Sequence, residues 1–590
     1  MPSNKKIHIA LVVLLVVSAL VRGFVAGFIE LGNDEVYYWT YACFPALSHF
    51  DHPPMVGVVI QLFTWNLSLE NEFFLRLAAV FFGTLSTLMM FFIGKQIKSP
   101  LTGLYAAFLF TASFYGFILS GTFILPDGPQ VFFWLVTLYL LVRSLPDPDR
   151  SPASRNFLFF AGISTGMAML SKYHAVFLIA GTFFYILFYN RRWFSAKETW
   201  GAFTLAILSF LPVIFWNAEN DFISFTFHES RVGITQSGIH PQYFLTELVG
   251  QFFYNNPVNV ILIFTALTAM IRGKNFLERP YRRLILWISL PLLFLFLVFS
   301  LFRSTLPHWT GPAYVGLIFI AAAYLSEPPL NARRLRLIPW PLVLSLSLLA
   351  LVIVVGVGQI RYGWIRLQQM KVDDVSLDMY GWKQLGEKFA PLAKWEEEHF
   401  LIDKGSPLLT FRWFPAANFD YYVARPAGKK VYALGTLERI HKYHWINQER
   451  GSLKKGSDAW YLALSDDYED PVALYGGWYE MILPSDTISI VRGSDTVRKV
   501  FVFRLIDLKE TITFKKEETP LKPKTDAPID TLDYFLRQIR MDTLYLEILH
   551  KRSVRDTIPM DVLIRREAEK MVQQSRDLNE FSDTSGILTR

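Results

Sequence analysis

One cysteine, Cys43, stands among 590 residues, so no internal disulfide can form and the redox compartment stays open. Cysteine nucleophilic catalysis is disfavoured too, because Cys43 has no identifiable partner base. Charge is scarce: 18% of residues are Asp, Glu, Lys or Arg, against 52% hydrophobic residues and 52 phenylalanines. A soluble chain carries more charge for that much apolar surface. Neither a Walker loop nor a G-x-G-x-x-G turn occurs, which argues against a cytosolic nucleotide-sugar donor. No internal repeat is visible.

What the sequence does have is apolar blocks of about 20 residues, the length that spans a bilayer. About eleven spans are expected. They fall near 7–28, 73–94, 101–119, 128–144, 157–171, 174–189, 200–216, 244–271, 284–302, 311–326 and 338–358. The stretch 53–66 is apolar but short, which suits an interfacial or re-entrant helix. Lys5 and Lys6 before Ile7–Leu20 resemble a signal peptide, but small-residue cleavage sites are poor and the reading is an uncleaved first helix.

Lys and Arg set the orientation. One set of loops holds Lys95, Lys98, Arg143, Arg150, Arg155, Arg191, Arg192 and Lys197, then Arg272, Lys274, Arg279, Arg282, Arg283, Arg333, Arg334 and Arg336. The opposite loops hold mainly Arg22, Lys172, Arg231 and Arg303. The first set is expected to be cytoplasmic, with the amino terminus. An odd number of spans then puts the carboxy-terminal domain outside the cytoplasm. The net charge of +7 follows from these loops and does not call for nucleic acid.

Past about residue 360 the composition is that of a soluble protein. Pro407–Phe411, Lys430–Leu434, Trp460–Leu464 and Lys499–Leu505 read as strands, with helical stretches such as Gly381–Phe389 between them. The expected organisation is a transmembrane domain over 1–360, a mixed α/β domain over 361–512, a linker over 513–528 and a charged helical tail over 529–590.

The most informative stretch is Gly32 to Pro54, GNDEVYYWTYACFPALSHFDHPP, just after the first span. Asp34 and Glu35 open it, Tyr37, Tyr38 and Trp39 follow, and Asp51-His52-Pro53-Pro54 closes it. Adjacent carboxylates at a membrane surface need a reason. One is chemistry. Another is helix capping, for which Asn33, Asp34 and Glu35 suit a first turn equally well.

The stretch resembles the first outer loop of the GT-C membrane glycosyltransferases, the superfamily of dolichyl-phosphate-mannose protein mannosyltransferases and aminoarabinose transferases. There an acidic pair, aromatics and a Phe-x-[His/Lys]-Pro-Pro element frame the active site. The resemblance implies a polytopic α-helical membrane protein of the GT-C fold. It also implies Asp34 as general base, with Glu35 and Asp127 orienting the base or acceptor, and Tyr38 on the substrate. Asp127 lies in Ile124-Leu125-Pro126-Asp127-Gly128-Pro129, a sequence that equally suits a helix cap. The family places an aspartate there. Lys172, after Met169-Leu170-Ser171, stands where the family has a Leu-Thr-Lys element; a snorkelling lysine is the alternative. Arg231, in His228-Glu229-Ser230-Arg231, corresponds to a phosphate-binding arginine, or is an ordinary surface residue. His308 and Trp309 sit where relatives carry an aromatic-proline element near the lipid phosphate, and Trp309 also suits an interfacial belt. His52 departs from the aminoarabinose transferases, which carry a phosphate-contacting lysine there, and its imidazole is the candidate for that contact here.

Together these imply transfer of a sugar from a polyprenyl-phosphate donor to a lipid, glycan or protein acceptor. The reaction would invert the anomeric carbon and take place on the outer face of a bacterial inner membrane. No cofactor is required by this reading. A divalent metal stays open, because Asp51 and His52 are a weak carboxylate and imidazole pair with no recognised metal spacing. Two other classes compete. A transporter would show paired repeats and interrupted helices. A membrane-anchored binding or assembly protein would not need the Asp34-Glu35 pair.

Overall fold

The computed structural model describes residues 2–232, 238–328, 336–370, 372–514, 559–566 and 568–570, without the side chains of 230–232, 368 and 369. The expected linker and tail therefore lie almost wholly outside the described residues. The chain divides into two compact units. One comprises Met1–Ile29 with Tyr38–Val357, the other Glu30–Tyr37 with Gly358–Arg590.

The first unit is helical. Its elements are α1 (Asn4–Phe28), α2 (Asn33–Cys43, whose first residues belong to the other unit), α3 (Met55–Phe63), α4 (Glu72–Ile97), α5 (Pro100–Ala112), α6 (Asp127–Ser144), α7 (Pro152–Ser171) and α8 (Val176–Tyr189). They continue with α9 (Lys197–Glu219), α10 (Ile223–Val232), α11 (Pro241–Tyr254), α12 (Pro257–Ile271), α13 (Arg279–Phe299), α14 (Gly311–Leu325) and α15 (Trp340–Tyr362). Several starts are written in the sequence. Ser99 and Ser151 each accept a backbone N–H in the first turn, of Thr102 and Ser154, and each is followed by proline, whose missing N–H costs nothing there. Buried residues of α1, α4 to α8 and α12 to α14 form one apolar core. Helices approach closely where side chains vanish: a Cβ at Gly94 would lie 2.6 Å from the Cα of Gly103, so α4 and α5 pack backbone on backbone.

Every expected span has helix at its place, but among the described residues only five helices are long and apolar enough to cross a bilayer, or six if one bent pair counts as a span. Helices α5, α8 and α14 are 13, 14 and 15 residues long. The expected single span at 244–271 is corrected to α11 and α12, which meet at 100°. Pro257 brings no N–H to the break, and Asn256 takes φ +66°. The Asn256 side chain caps the start of α12 by accepting from the Val258 N–H at 3.1 Å, and its amide donates to Ala112 O and Ser345 O at 2.8 and 2.9 Å. Among the described residues of this unit, two arginines are buried. Arg76 donates to the carbonyls of Ala26 and Ile29 at the end of α1, at 2.9 and 2.8 Å, and Arg22 lies over the Phe117 ring at 4.6 Å.

The second unit holds a five-stranded mixed sheet in the order β2-β1-β3-β5-β4, with α16 (Trp382–Glu398) before it in the chain. Strands β1 (Leu408–Thr410), β2 (Val431–Ala433) and β3 (Ala459–Leu464) pair in parallel through β1. Strands β4 (Tyr479–Arg492) and β5 (Asp495–Leu508) form a long antiparallel hairpin, which turns at Gly493 with φ +64°. Four strands fall where the sequence pattern places them; β4 escaped, because Pro484 and a run of polar residues interrupt its alternation. Glu30–Tyr37 belongs to this unit through hydrogen bonds: Trp382 N–H to Glu30 Oε2 at 2.8 Å, Leu31 N–H to the Tyr422 hydroxyl at 2.7 Å, and Asn418 Nδ2 to Asn33 Oδ1 at 3.2 Å. A second polar knot joins Asp420 to Arg450 by two bonds of 2.9 and 2.7 Å and to the Tyr443 hydroxyl at 2.9 Å.

Candidate active site

The first unit brings one carboxylate and one ammonium together in its interior. Asp127 is the first residue of α6, where the helix dipole favours an anion. Lys172 ends α7, where the dipole favours a cation; its N–H bonds Ala168 O at 3.0 Å before the backbone turns extended. The Lys172 Nζ lies 2.8 Å from Asp127 Oδ2, and the two side chains are 6% and 4% exposed. The Tyr115 hydroxyl donates to Asp127 Oδ1 at 2.9 Å, so both carboxylate oxygens are used. Tyr115 opens a short π-helix after α5, Tyr115–Leu119, which turns its ring toward α6. Lys172 is thus a buried, paired cation and does not snorkel.

Three imidazoles lie near this pair. His52, His174 and His308 all feel the charges of both Asp127 and Lys172. His308 lies in the short 3-10 turn Pro307–Thr310 before α14, against the ring of Tyr254 at 5.9 Å. Trp309 meets His174 at 5.8 Å and Phe296 at 5.4 Å, so it packs inside the unit. Tyr38 is buried and packs on His52 at 5.6 Å. Burial pushes both His52 and His308 down to about 4, so each is a neutral imidazole at pH 7. The His52 Nδ1 is buried with no hydrogen-bond partner among the described residues.

Asp51 is engaged by the Tyr41 hydroxyl, and its carbonyl contacts His228 Nε2 at 2.8 Å. No group of three or more His, Cys, Asp or Glu among the described residues is arranged to hold a metal ion. Asp34 and Glu35 belong to the other unit. Glu35 is buried and reaches back to the Gly32 N–H at 2.9 Å, the carboxylate half of a capping box. Asp34, one residue earlier in the first turn of α2, is exposed. Arg231 falls in α10, but its side chain is outside the described residues.

Residues 51–216, which contain Asp127 and Lys172, match the family described as dolichyl-phosphate-mannose-protein mannosyltransferase. The fold is that of ArnT from Cupriavidus metallidurans in the apo state, with a TM-score of 0.53 over 83% of this chain and 97% of that one at 16% identity. The chain thus has the GT-C fold. The same ArnT bound to undecaprenyl phosphate superposes with a TM-score of 0.54, over the same shares and at the same identity. A curated relative, the lipid A galacturonosyltransferase RgtD of Rhizobium johnstonii, is 24% identical over 299 residues. That match covers 50% of this chain, and the chain spans 61% of the length of RgtD.

Within this GT-C unit, Tyr115, His174 and His228 were missed by sequence reasoning. His174 stands two residues after Lys172 in the same tight turn, a usable local signal. Tyr115 reaches Asp127 only through the π-helix, and no spacing rule announces that.

Proposed function

We propose that this protein transfers a sugar from a polyprenyl-phosphate donor to a lipid acceptor of the lipid A type, with inversion at the anomeric carbon. The buried Asp127–Lys172 pair, with imidazoles near it in a GT-C fold, carries the reading. The likeness to ArnT, solved with undecaprenyl phosphate, and to a lipid A galacturonosyltransferase supports the donor and acceptor classes.

In the reaction an acceptor hydroxyl attacks the anomeric carbon while a carboxylate takes its proton. The new C–O bond forms as the bond to phosphate breaks, and the polyprenyl phosphate leaves with the electron pair. Asp34 is assigned as the base by family resemblance, and its exposed position suits a group that must meet an incoming acceptor. Asp127 has both oxygens occupied, so its part is to hold Lys172 in place. Lys172 supplies positive charge to the leaving phosphate, and His52 and His308 donate hydrogen bonds to it, with Tyr38 and Trp309 shaping the pocket wall. Arg231 is the further phosphate cation on resemblance alone. Glu35 supports the base by fixing the first turn of α2. The proposed location is a bacterial inner membrane, with this chemistry on the outer face.

The test is transfer from a panel of radiolabelled undecaprenyl-phosphate sugars to lipid A in membranes, comparing wild type with Asp34→Asn. Transfer by wild type and its loss in a folded variant supports the reading. Full activity in the variant removes Asp34 as base, and absence of transfer from every donor refutes the donor class.

A further inference from the structure

Helix α11 points four residues of one face, Glu247, Gly250, Gln251 and Tyr254, at the segment 305–314; their spacing is i, i+3, i+4 and i+7. Glu247 is fully buried and accepts from the Thr305 hydroxyl and from Gln251 Nε2, each at 2.7 Å. Gln251 Oε1 in turn accepts from the Tyr314 hydroxyl at 3.0 Å. Gly250 lies so close to Pro307 that a Cβ would overlap the proline ring, and Tyr254 packs on His308. The held segment carries His308 and Trp309, and next to them Gly311 lies against the ring of Tyr115, where any side chain would clash. Direct contacts therefore run from Glu247 through the 305–311 turn to Tyr115 and on to Asp127 and Lys172.

A carboxylate buried on a largely apolar helix needs a reason, and the hydrogen-bond partners of Glu247 among the described residues are all neutral. Fastening two helices would be served as well by an apolar pair, so the specific gain is the fixed position of Thr305 and hence of the turn that follows it. We propose that Glu247 is a positioning residue, which anchors the turn through Thr305 so that His308 presents its imidazole to the phosphate of the polyprenyl donor. This rests on the donor class given above, and it assigns a role to a residue that does not itself touch the Asp127–Lys172 pair.

A double-mutant cycle on undecaprenyl phosphate binding in detergent tests it, with thermal melting recorded for every variant. E247A is expected to weaken binding about tenfold, as loss of one hydrogen bond to an anion would, and H308A by a similar factor. The E247A/H308A variant should bind no worse than H308A, because one acts through the other. E247Q, whose carboxamide oxygen still accepts from Thr305, should bind like wild type. Losses that multiply in the double variant would overturn the proposal, as would H308A binding normally. If E247A does not fold, T305V removes the same anchor and enters the cycle in its place, read by the same outcomes. Wild type that fails to bind undecaprenyl phosphate would refute the donor class itself, and the proposal would fall with it.

Discussion

Replacing Lys172 by methionine removes the ammonium and keeps most of the stem. Asp127, 4% exposed at its side chain, would then retain the Tyr115 hydroxyl at 2.9 Å and no cation from Lys172. Removing one partner of a buried ion pair costs about 3–5 kcal/mol, because the other charge stays desolvated. For a unit of this size that is a fall of about 4–7 °C in melting temperature. The double variant K172M/D127N has no stranded charge, and its carboxamide oxygen still accepts from Tyr115. It should recover most of the lost stability and none of the transfer. Thermal unfolding in detergent and transfer from the donor panel measure the two effects separately. If K172M melts within about 1 °C of wild type, or if D127N gives no recovery in its background, the pair is not the buried, coupled element described here.

Three further outcomes are expected. His52 is held down to about 4 by burial, below its ordinary value of about 6.5, so the folded state binds fewer protons than the unfolded one between those values. Stability should therefore fall as pH drops from 7 to 5, and H52Q should show a flatter dependence; equal slopes in melting temperature would refute it. In the second unit, burial would raise the Asp374 carboxyl, but Ser376 and Arg492 outweigh it and hold the group below its usual range. That stabilisation is present above about pH 3.9 and is lost on further acidification, so R492Q, which weakens it, should unfold this unit at higher pH when followed by circular dichroism on the whole chain. G94V should destabilise the first unit by about 1–3 kcal/mol through overpacking of α4 on α5, and an unchanged melting temperature would show that the helices separate freely.

The ion pair also divides the acidic residues by role. A carboxylate whose two oxygens accept from Lys172 and Tyr115 is a poor proton acceptor for a third group. Asp127 therefore fits fixing a cation better than general base work. Glu35, drawn back onto the Gly32 N–H, fits support in the same way. Of the Asp34-Glu35 pair, Glu35 closes the helix and Asp34 is exposed.

The sequence alone determined the class of the protein. Apolar blocks of bilayer length, serine-proline helix starts and the change to soluble composition near residue 360 are local, and local patterns are what hydropathy and capping rules read. It also named Asp127 and Lys172, each by itself. Only the tertiary structure decided that they are partners, 45 residues apart in sequence, because the pairing depends on how α6 and α7 pack and not on spacing. The break at Asn256 was hidden for a related reason: its side chain is held by carbonyls of Ala112 and Ser345, which only packing brings to it. The grouping of Glu30–Tyr37 with residues beyond Gly358, and the place of α11 behind His308, likewise rest on contacts between residues distant in the chain. Secondary structure is specified within a few residues; partners of buried charges are chosen by the fold as a whole.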